Sequence, residues 1–404
     1  MDAGDVTWML VSSALVLFMV PGLALFYGGM VRSKNVLNML SMNVYCLGIV
    51  PVLWVLFVFS IASSGGGDLI GNFDAAGLDD IRGFDLIPVF FSMTFAAITP
   101  ALISGAVADR MKFSAWAVFV PVWLVLVYAP VFFWVYSGWI IDMGALDFAG
   151  GTAIHINAGV AALAAVLVLG KRQNWPAEAM PPHNLPLVLL GTGILWFGWF
   201  GFNAGSALGA NEQAVQAFMN TFLAGAAGMI AWLAVEWWKD GHPTTLGAAS
   251  GVVAALVAIT PAAGFVGGLA SIVFGAVAGV VCFLAIRLKF RFGYDDSLDV
   301  VGVHLVGGIL GGVLLGFFAD GSAIPGAEYP DGVFFGGGEL LLDQVVSIVV
   351  VLAYSFAITF VIAKVLDATM GIRASAEDET VGLDQTQHAE TAYIFQGGSF
   401  DRIR

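Results

Sequence analysis

The chain is built from apolar runs of about 20 residues separated by short polar stretches, which is the length an α-helix needs to cross a bilayer core of ~30 Å. In hydrocarbon no water satisfies backbone N–H and C=O groups, so runs of this kind must bond internally as helices. The pattern predicts eleven spans, at 6–30, 36–62, 87–107, 114–136, 151–169, 185–205, 217–237, 246–262, 266–287, 300–318 and 341–366. The expected fold class is therefore an all-α membrane protein. Only 11% of the 404 residues are charged, and mean hydropathy is +0.91, which excludes an ordinary soluble domain. The segment MDAGDVTW ahead of the first run has no basic residue, so a cleaved secretory leader is not expected.

Lysine and arginine set the orientation. Arg32, Lys34, Arg110, Lys112, Lys171, Arg172, Lys239, Arg287, Lys289 and Arg291 fall in alternate loops, and Lys364, Arg373, Arg402 and Arg404 lie at or after the last span. Arg82 alone falls on the other side, so 14 of the 15 basic residues share one side. This predicts an outer N-terminus and an inner C-terminus. The opposite side is acidic, with Asp68, Asp74, Asp79, Asp80, Asp85, Asp142, Glu212, Asp320, Glu328, Asp331 and Glu339. Such a surface is ordinarily a solvated face, and it also concentrates small cations weakly. A net charge of −14 argues against nucleic acid. The two cysteines, Cys46 and Cys282, both lie in apolar runs, so no disulfide framework is expected.

Residues 1–366 read as one transmembrane domain and 367–404 as a polar cytoplasmic tail. Two histidines interrupt spans that otherwise lack ionisable groups: His155 in GGTAIHINAGVAALAAVLVLG and His304 in DVVGVHLVGGILGGVLLGFF. Both carry the frame His-x-x-small-Gly, ending at Gly159 and Gly308. A titratable group at membrane depth is costly and usually faces a cavity or pathway. Spans 1–5 and 6–10 hold five helices each, so a repeat must be inverted, with a final helix outside it. The histidines then sit on the fifth helix of each half, near one pseudo-twofold axis. A second constellation is WFGWFGFNAGS (196–206), and Phe91 and Phe95 share a helix face at i and i+4. Glycine is abundant, at 51 residues, and in such helices it ordinarily serves close packing. With no Asp, Glu, Lys or Arg deep in a span, a crossing cation needs aromatic faces and carbonyls, or must leave its proton behind.

At this point the chain resembles the ammonium transporter/Rhesus family over residues 6–393. The likeness rests on PGLALFYGGMVRSKNVLN (21–38), DFAGGTAIHINAG (147–159), PHNLPLVLLGTGILWFGWFGFNAGSA (182–207), GAASGVVAALVAITPAAGF (247–265), DDSLDVVGVHLVGGILGG (295–312) and GLDQTQHAETAY (382–393). The resemblance implies that His155 and His304 are the twin pore histidines. It implies that Phe95 and Phe202 form a stacked gate below an outer vestibule. It places ammonium recruitment at Tyr136, Ser206 and Phe95, with Asp147, Trp199 and Asn203 in support. Asp147 is expected to organise the site, and Trp199 to line the pore. A homotrimer in the plasma membrane is implied, with one pore per subunit and a PII-type signal protein as a partner at the cytoplasmic face. Three positions depart from the family pattern. Tyr136 stands where a vestibule tryptophan is common, Ser92 where a glutamine is common, and Ala389 replaces glycine in the tail motif.

The sequence carries no P-loop, HExxH or GxSxG motif and no paired carboxylates in a cleft, so an enzyme is not expected. No cofactor is expected, and no metal site, since the membrane histidines lack further ligands. The leading expectation is transport of ammonium or ammonia. The alternatives are an ammonium sensor with little flux and a Rhesus-like channel for neutral gas.

Overall fold

The computed structural model describes residues 2–325 and 329–394, so Glu328, Arg402 and Arg404 lie outside the described residues. Among the described residues all regular secondary structure is helical. Ten helices are long and apolar enough to cross a membrane. They are α1 (Ala3–Met30), α2 (Val36–Ser63), α3 (Gly83–Val107), α4 (Phe113–Met143), α5 (Gly151–Leu169), α6 (Leu185–Gly205), α7 (Glu212–Asp240), α9 (Ala270–Phe292), α10 (Val301–Phe318) and α11 (Glu339–Met370). Between α7 and α9 lies α8 (Thr245–Ile259), an apolar helix of fifteen residues. Its rise of about 22 Å, at 1.5 Å per residue, is shorter than the hydrocarbon core. It corresponds to the expected span 246–262, whose last residues leave the helix as turns. Two short tail helices follow, α12 (Ala376–Val381) and α13 (Leu383–His388).

Local chemistry fixes the helix ends. Asp2 and Asp5 form a reciprocal capping box on α1, and the side chains of Asn184, Asn211 and Thr244 accept N–H bonds at the starts of α6, α7 and α8. Inside the spans, Pro51 and Pro121 each remove an N–H donor, and three residues later each helix widens to a π segment, Trp54–Val58 and Leu124–Tyr128. Two further π segments open α5 and α10: Gly151–Ile156 and Val301–Leu305. These two carry His155 and His304.

Packing brings α1 along α6, α7 against α8 and α9, and α5 against α11. The glycines on α6 fit the close contact expected of them, with Gly191 against the Phe26 backbone and Gly201 against the carbonyl of Ser12.

The basic loops gather at one end of the bundle in a buried ionic network. Arg172 forks onto Asp295 with bonds of 3.0 and 2.8 Å and lies 3.6 Å from Asp109. Asp109 also accepts from Arg32 at 3.1 Å and from Asn35. Arg110, fully buried, donates to the carbonyls of Gly170 and Asp295 and to the Ser297 hydroxyl. The tail docks onto the same network. Leu383 N donates to the Asn35 side-chain oxygen at 2.8 Å, Asn38 N donates to the Asp384 carboxylate at 2.8 Å, and His388 Nε2 donates to Asn38 Oδ1 at 3.0 Å.

Candidate functional site

The two histidine-bearing turns meet in the centre of the bundle. His155 and His304 are 2% and 4% exposed, and their Nδ1 atoms lie 3.2 Å apart. The rings are nearly parallel, at 21° and 5.3 Å between centroids. One Nδ1 must carry the hydrogen that the other accepts, so the pair shares a proton position. Their approach explains the matching glycines four residues downstream. A Cβ on Gly159 would collide with the backbone of Leu305, beside His304, and one on Gly308 would meet Ile156, beside His155, at 2.8 Å. Each half therefore supplies the gap into which the other half's histidine turn fits.

Aromatic rings continue the stack towards the acidic end. Trp199 lies parallel to His155 at 5.5 Å, and its indole N–H is held by the Thr260 hydroxyl at 2.9 Å. Phe202 lies 6.0 Å from His155 and stacks on Phe95 at 4.2 Å and 25°. Phe91 tilts onto Phe95 at 4.8 Å. Beyond the Phe95–Phe202 stack opens a vestibule of about 350 Å³, lined by Phe95, Phe132, Tyr136, Phe148, Ser92 and Ser206 among others. Tyr136 packs on Phe132 at 4.8 Å, and the Ser206 hydroxyl donates to the Phe202 carbonyl at 2.9 Å, leaving its lone pairs available to a donor.

On the other side of the stack are two cavities of about 10 Å³, each enough for one water-sized molecule. The first is lined by both histidines, Trp199, Phe202 and aliphatic side chains, with no charged residue. The second lies beyond His304 and is lined by Tyr27, Ser250 and Asp299 among others.

Asp147 does not line the vestibule. Its Oδ1 accepts the N–H groups of Gly150 and Gly151, and its Oδ2 those of Thr152 and Ala153, at 2.6–3.0 Å. Burial raises its carboxyl above the usual range, and the four donors pull it back. Its carboxylate thus caps the turn that carries His155. Asn203 is turned away too. It is fully buried, and its amide donates to Thr221 on α7 at 2.9 Å. The structure therefore brings together His155, His304, Trp199, Phe95, Phe202, Tyr136 and Ser206, and leaves Asp147 and Asn203 behind them. Sequence reasoning missed Thr260, Tyr27, Ser250 and Asp299. Nothing in their local sequence marks them, since each joins the site only by packing. No group of three or more His, Cys, Asp or Glu side chains able to hold a metal occurs among the described residues.

Fold and site together define a multi-pass, all-helical membrane protein with an aromatic and histidine-lined interior. The model of the Ammonium Transporter Family matches residues 7–393, and the chain belongs to that family. It is 50% identical to the ammonium transporter of Mycobacterium tuberculosis, over 98% of this chain and 91% of that one. Its fold is similar to the crystal structure of Saccharomyces cerevisiae Mep2, with a TM-score of 0.88 and 35% identity over 93% of this chain and 88% of that one. It is also similar to a structure titled Sensor Amt Protein, with a TM-score of 0.88 and 26% identity over 95% and 98% of the two chains.

Proposed function

We propose that this protein carries ammonium across the plasma membrane, through a pore running from the vestibule past Phe95 and Phe202 and along His155 and His304. The observation that carries this reading is the histidine pair itself, flanked by water-sized cavities and separated from the vestibule by a stacked pair of phenylalanines. An ammonium ion in the vestibule meets aromatic faces at Phe95 and Tyr136 and an acceptor at Ser206. The first cavity beyond the stack offers no charged partner, and dehydrating an unpaired ion there costs several kcal/mol. The N–H bond therefore breaks at the vestibule and ammonia crosses the apolar stretch, and net charge moves only if the released proton follows by a separate route, which is what the current measures. Each imidazole nitrogen then donates to or accepts from ammonia as its tautomer allows.

This reading includes eleven spans with α8 among them, an outer N-terminus and an inner C-terminus. It includes an inverted repeat of α1–α5 and α6–α10 with α11 outside it. It also includes a transport domain over 1–366, a cytoplasmic regulatory tail over 367–404, a homotrimer, and a PII-type protein as partner at the inner face. A second reading, an ammonium sensor with little flux, is favoured by Tyr136 standing in the vestibule in place of the tryptophan common in the family.

The deciding experiment is current from purified protein in liposomes after an ammonium jump, with His155→Ala and His304→Ala alongside. A saturable inward current altered in both variants, and in their discrimination against K+, is expected. No current with retained ammonium binding supports the sensor. No current with rapid internal alkalinisation indicates conduction of neutral ammonia, as in the Rhesus branch.

A further inference from the structure

Between the end of α4 at Met143 and the π turn Gly151–Ile156 the chain has no helix, yet it carries Asp147, whose carboxylate caps the His155 turn. Irregular backbone inside a membrane protein is tolerated only where the protein satisfies its polar groups. Here a side chain from α11 does so. Gln344, 2% exposed, accepts the Leu146 N–H on Oε1 at 2.8 Å and donates from Nε2 to the Leu146 carbonyl at 2.9 Å. Its amide thus pairs with both polar groups of one residue, as a residue on a neighbouring strand would. One N–H and one C=O on Leu146 leave that amide a single orientation. The same Nε2 lies 3.5 Å from the carbonyl of Gly312, on the helix that carries His304. The base for this contact is firm. α11 packs along α5, and a Cβ on Gly316 of α10 would meet the Leu341 backbone at 2.8 Å.

We propose that Gln344 is a positioning residue of the pore, clamping Leu146 so that Asp147 is aimed at the turn that carries His155. The proposal rests on the reading of His155 as pore-lining. The Leu146 carbonyl and the Asp147 nitrogen belong to one planar peptide unit. Once Gln344 holds that plane, only the Asp147 φ and its side-chain torsions separate it from the carboxylate. The carboxylate then sets four N–H groups of the segment 150–153, and His155 follows two residues on. Gln344 itself lines neither the vestibule nor the cavities beside the histidines, so it acts only through this chain of contacts. Phe148, the vestibule wall on the same segment, has anchors of its own. Its N–H donates to the Pro261 carbonyl at 3.0 Å, and its ring meets Phe265 edge-on at 5.3 Å. Loss of Gln344 therefore acts on the His155 turn before it acts on the vestibule.

The test uses the full-length protein in lipid, with Gln344→Met and Gln344→Glu. The first keeps a side chain of similar length and removes both bonds to Leu146. The second keeps an oxygen for the Leu146 N–H and loses the donor to the Leu146 carbonyl. Ammonium flux per folded molecule is measured across a concentration series. Ring nitrogen NMR signals of histidine-labelled protein and backbone amide hydrogen exchange are recorded alongside. Gln344→Met is expected to lower maximal flux by about tenfold, the order of loss that follows small misplacement of a reacting group. Its half-saturating concentration is expected to stay within about twofold of native, because the vestibule keeps its walls. The His155 ring signals are expected to move, and the amides of Gly150, Gly151, Thr152 and Ala153 to exchange faster. Gln344→Glu is expected to show the same changes at smaller size. A role confined to the loop frees the Leu146 N–H alone; native ring signals with native exchange at 150–153 overturn the proposal. A raised half-saturation point with unchanged maximal flux overturns it as well. If Gln344→Met does not fold, Gln344→Glu decides: displaced His155 signals support the proposal, and native ones overturn it. If the native protein shows no flux, the transport reading fails, and the ring signals and exchange still decide the role of Gln344.

Discussion

Tyr136 offers the vestibule a ring face with less π density than an indole, and it packs there on Phe132 rather than standing free. A cation held by aromatic faces gains about 0.5–1 kcal/mol at a partly exposed site. Tyr136→Trp is therefore expected to lower the half-saturating ammonium concentration by about two- to fivefold, with little change in maximal flux. Concentration series of the liposome current check this; an unchanged or raised half-saturation point would remove Tyr136 from recruitment. At this scale the legible residues were those whose type is costly in a membrane. His155 and His304 stood out because an imidazole among aliphatic side chains needs a reason. Thr260 was not legible, because a threonine bonding its own helix, as it does to Leu256, is common, and only the Trp199 indole arriving from α6 gives it a second role.

The spans themselves were readable because the bilayer leaves an apolar run no other structure. The expected bounds of α5 and α6 match the structure to the residue, and α2 differs by one. The π segments were not readable. They arise from which carbonyl each N–H selects after a proline or a glycine, and hydropathy carries no record of that choice. The tail shows a different kind of agreement. Ala389, placed where glycine is usual, ends α13 at φ +55°, in the left-handed region. A side chain there costs about 1–2 kcal/mol, so Ala389→Gly is expected to tighten tail docking by about 1 kcal/mol. Slower proteolysis of the tail in the variant would show it, and equal or faster cleavage would refute it. The Arg172–Asp295 pair beneath the tail makes a prediction with pH. Burial raises the Asp295 carboxyl, and the Arg172 and Arg110 guanidinium groups more than offset it, so it lies below its ordinary value. A carboxylate so depressed contributes its full stabilisation above the unfolded value of about 3.9 and loses it as pH falls through the folded one. The docked loops should hold from neutrality down to about pH 4 and loosen only below it. Arg172→Met should abolish that acid transition in a protease-protection titration, having already loosened the loops at neutral pH.

Across the whole molecule, the ionic network binds the basic loops and tail together at one end, while the long 63–86 segment belongs to the other, where Trp134 donates to the Leu69 carbonyl at 2.7 Å. Such one-sided placement of arginine and lysine is what orients a membrane protein. The question this leaves is α8, whose fifteen helical residues are short for a crossing. Its two ends answer differently under the two topologies. If α8 crosses, His242 lies at the inner face with Lys239, and Leu269 lies outside with Asp74. If it does not, His242 and Leu269 share a side, and every later segment changes sense, which would put Arg287, Lys289 and Arg291 outside and part Asp295 from Arg110 and Arg172. Placing three further cations there opposes the charge bias by about 1 kcal/mol each near an anionic inner leaflet. The native cysteines Cys46 and Cys282 are buried and give no background, so single cysteines can be introduced at Asp74, His242 and Leu269, all exposed. A membrane-impermeant maleimide on intact cells is expected to label Asp74→Cys and Leu269→Cys, and His242→Cys only after permeabilisation. Labelling of His242→Cys in intact cells together with Leu269→Cys would mean that α8 enters and leaves by the same face. The five-plus-five inversion would then fail, and with it the symmetry that relates the two histidines.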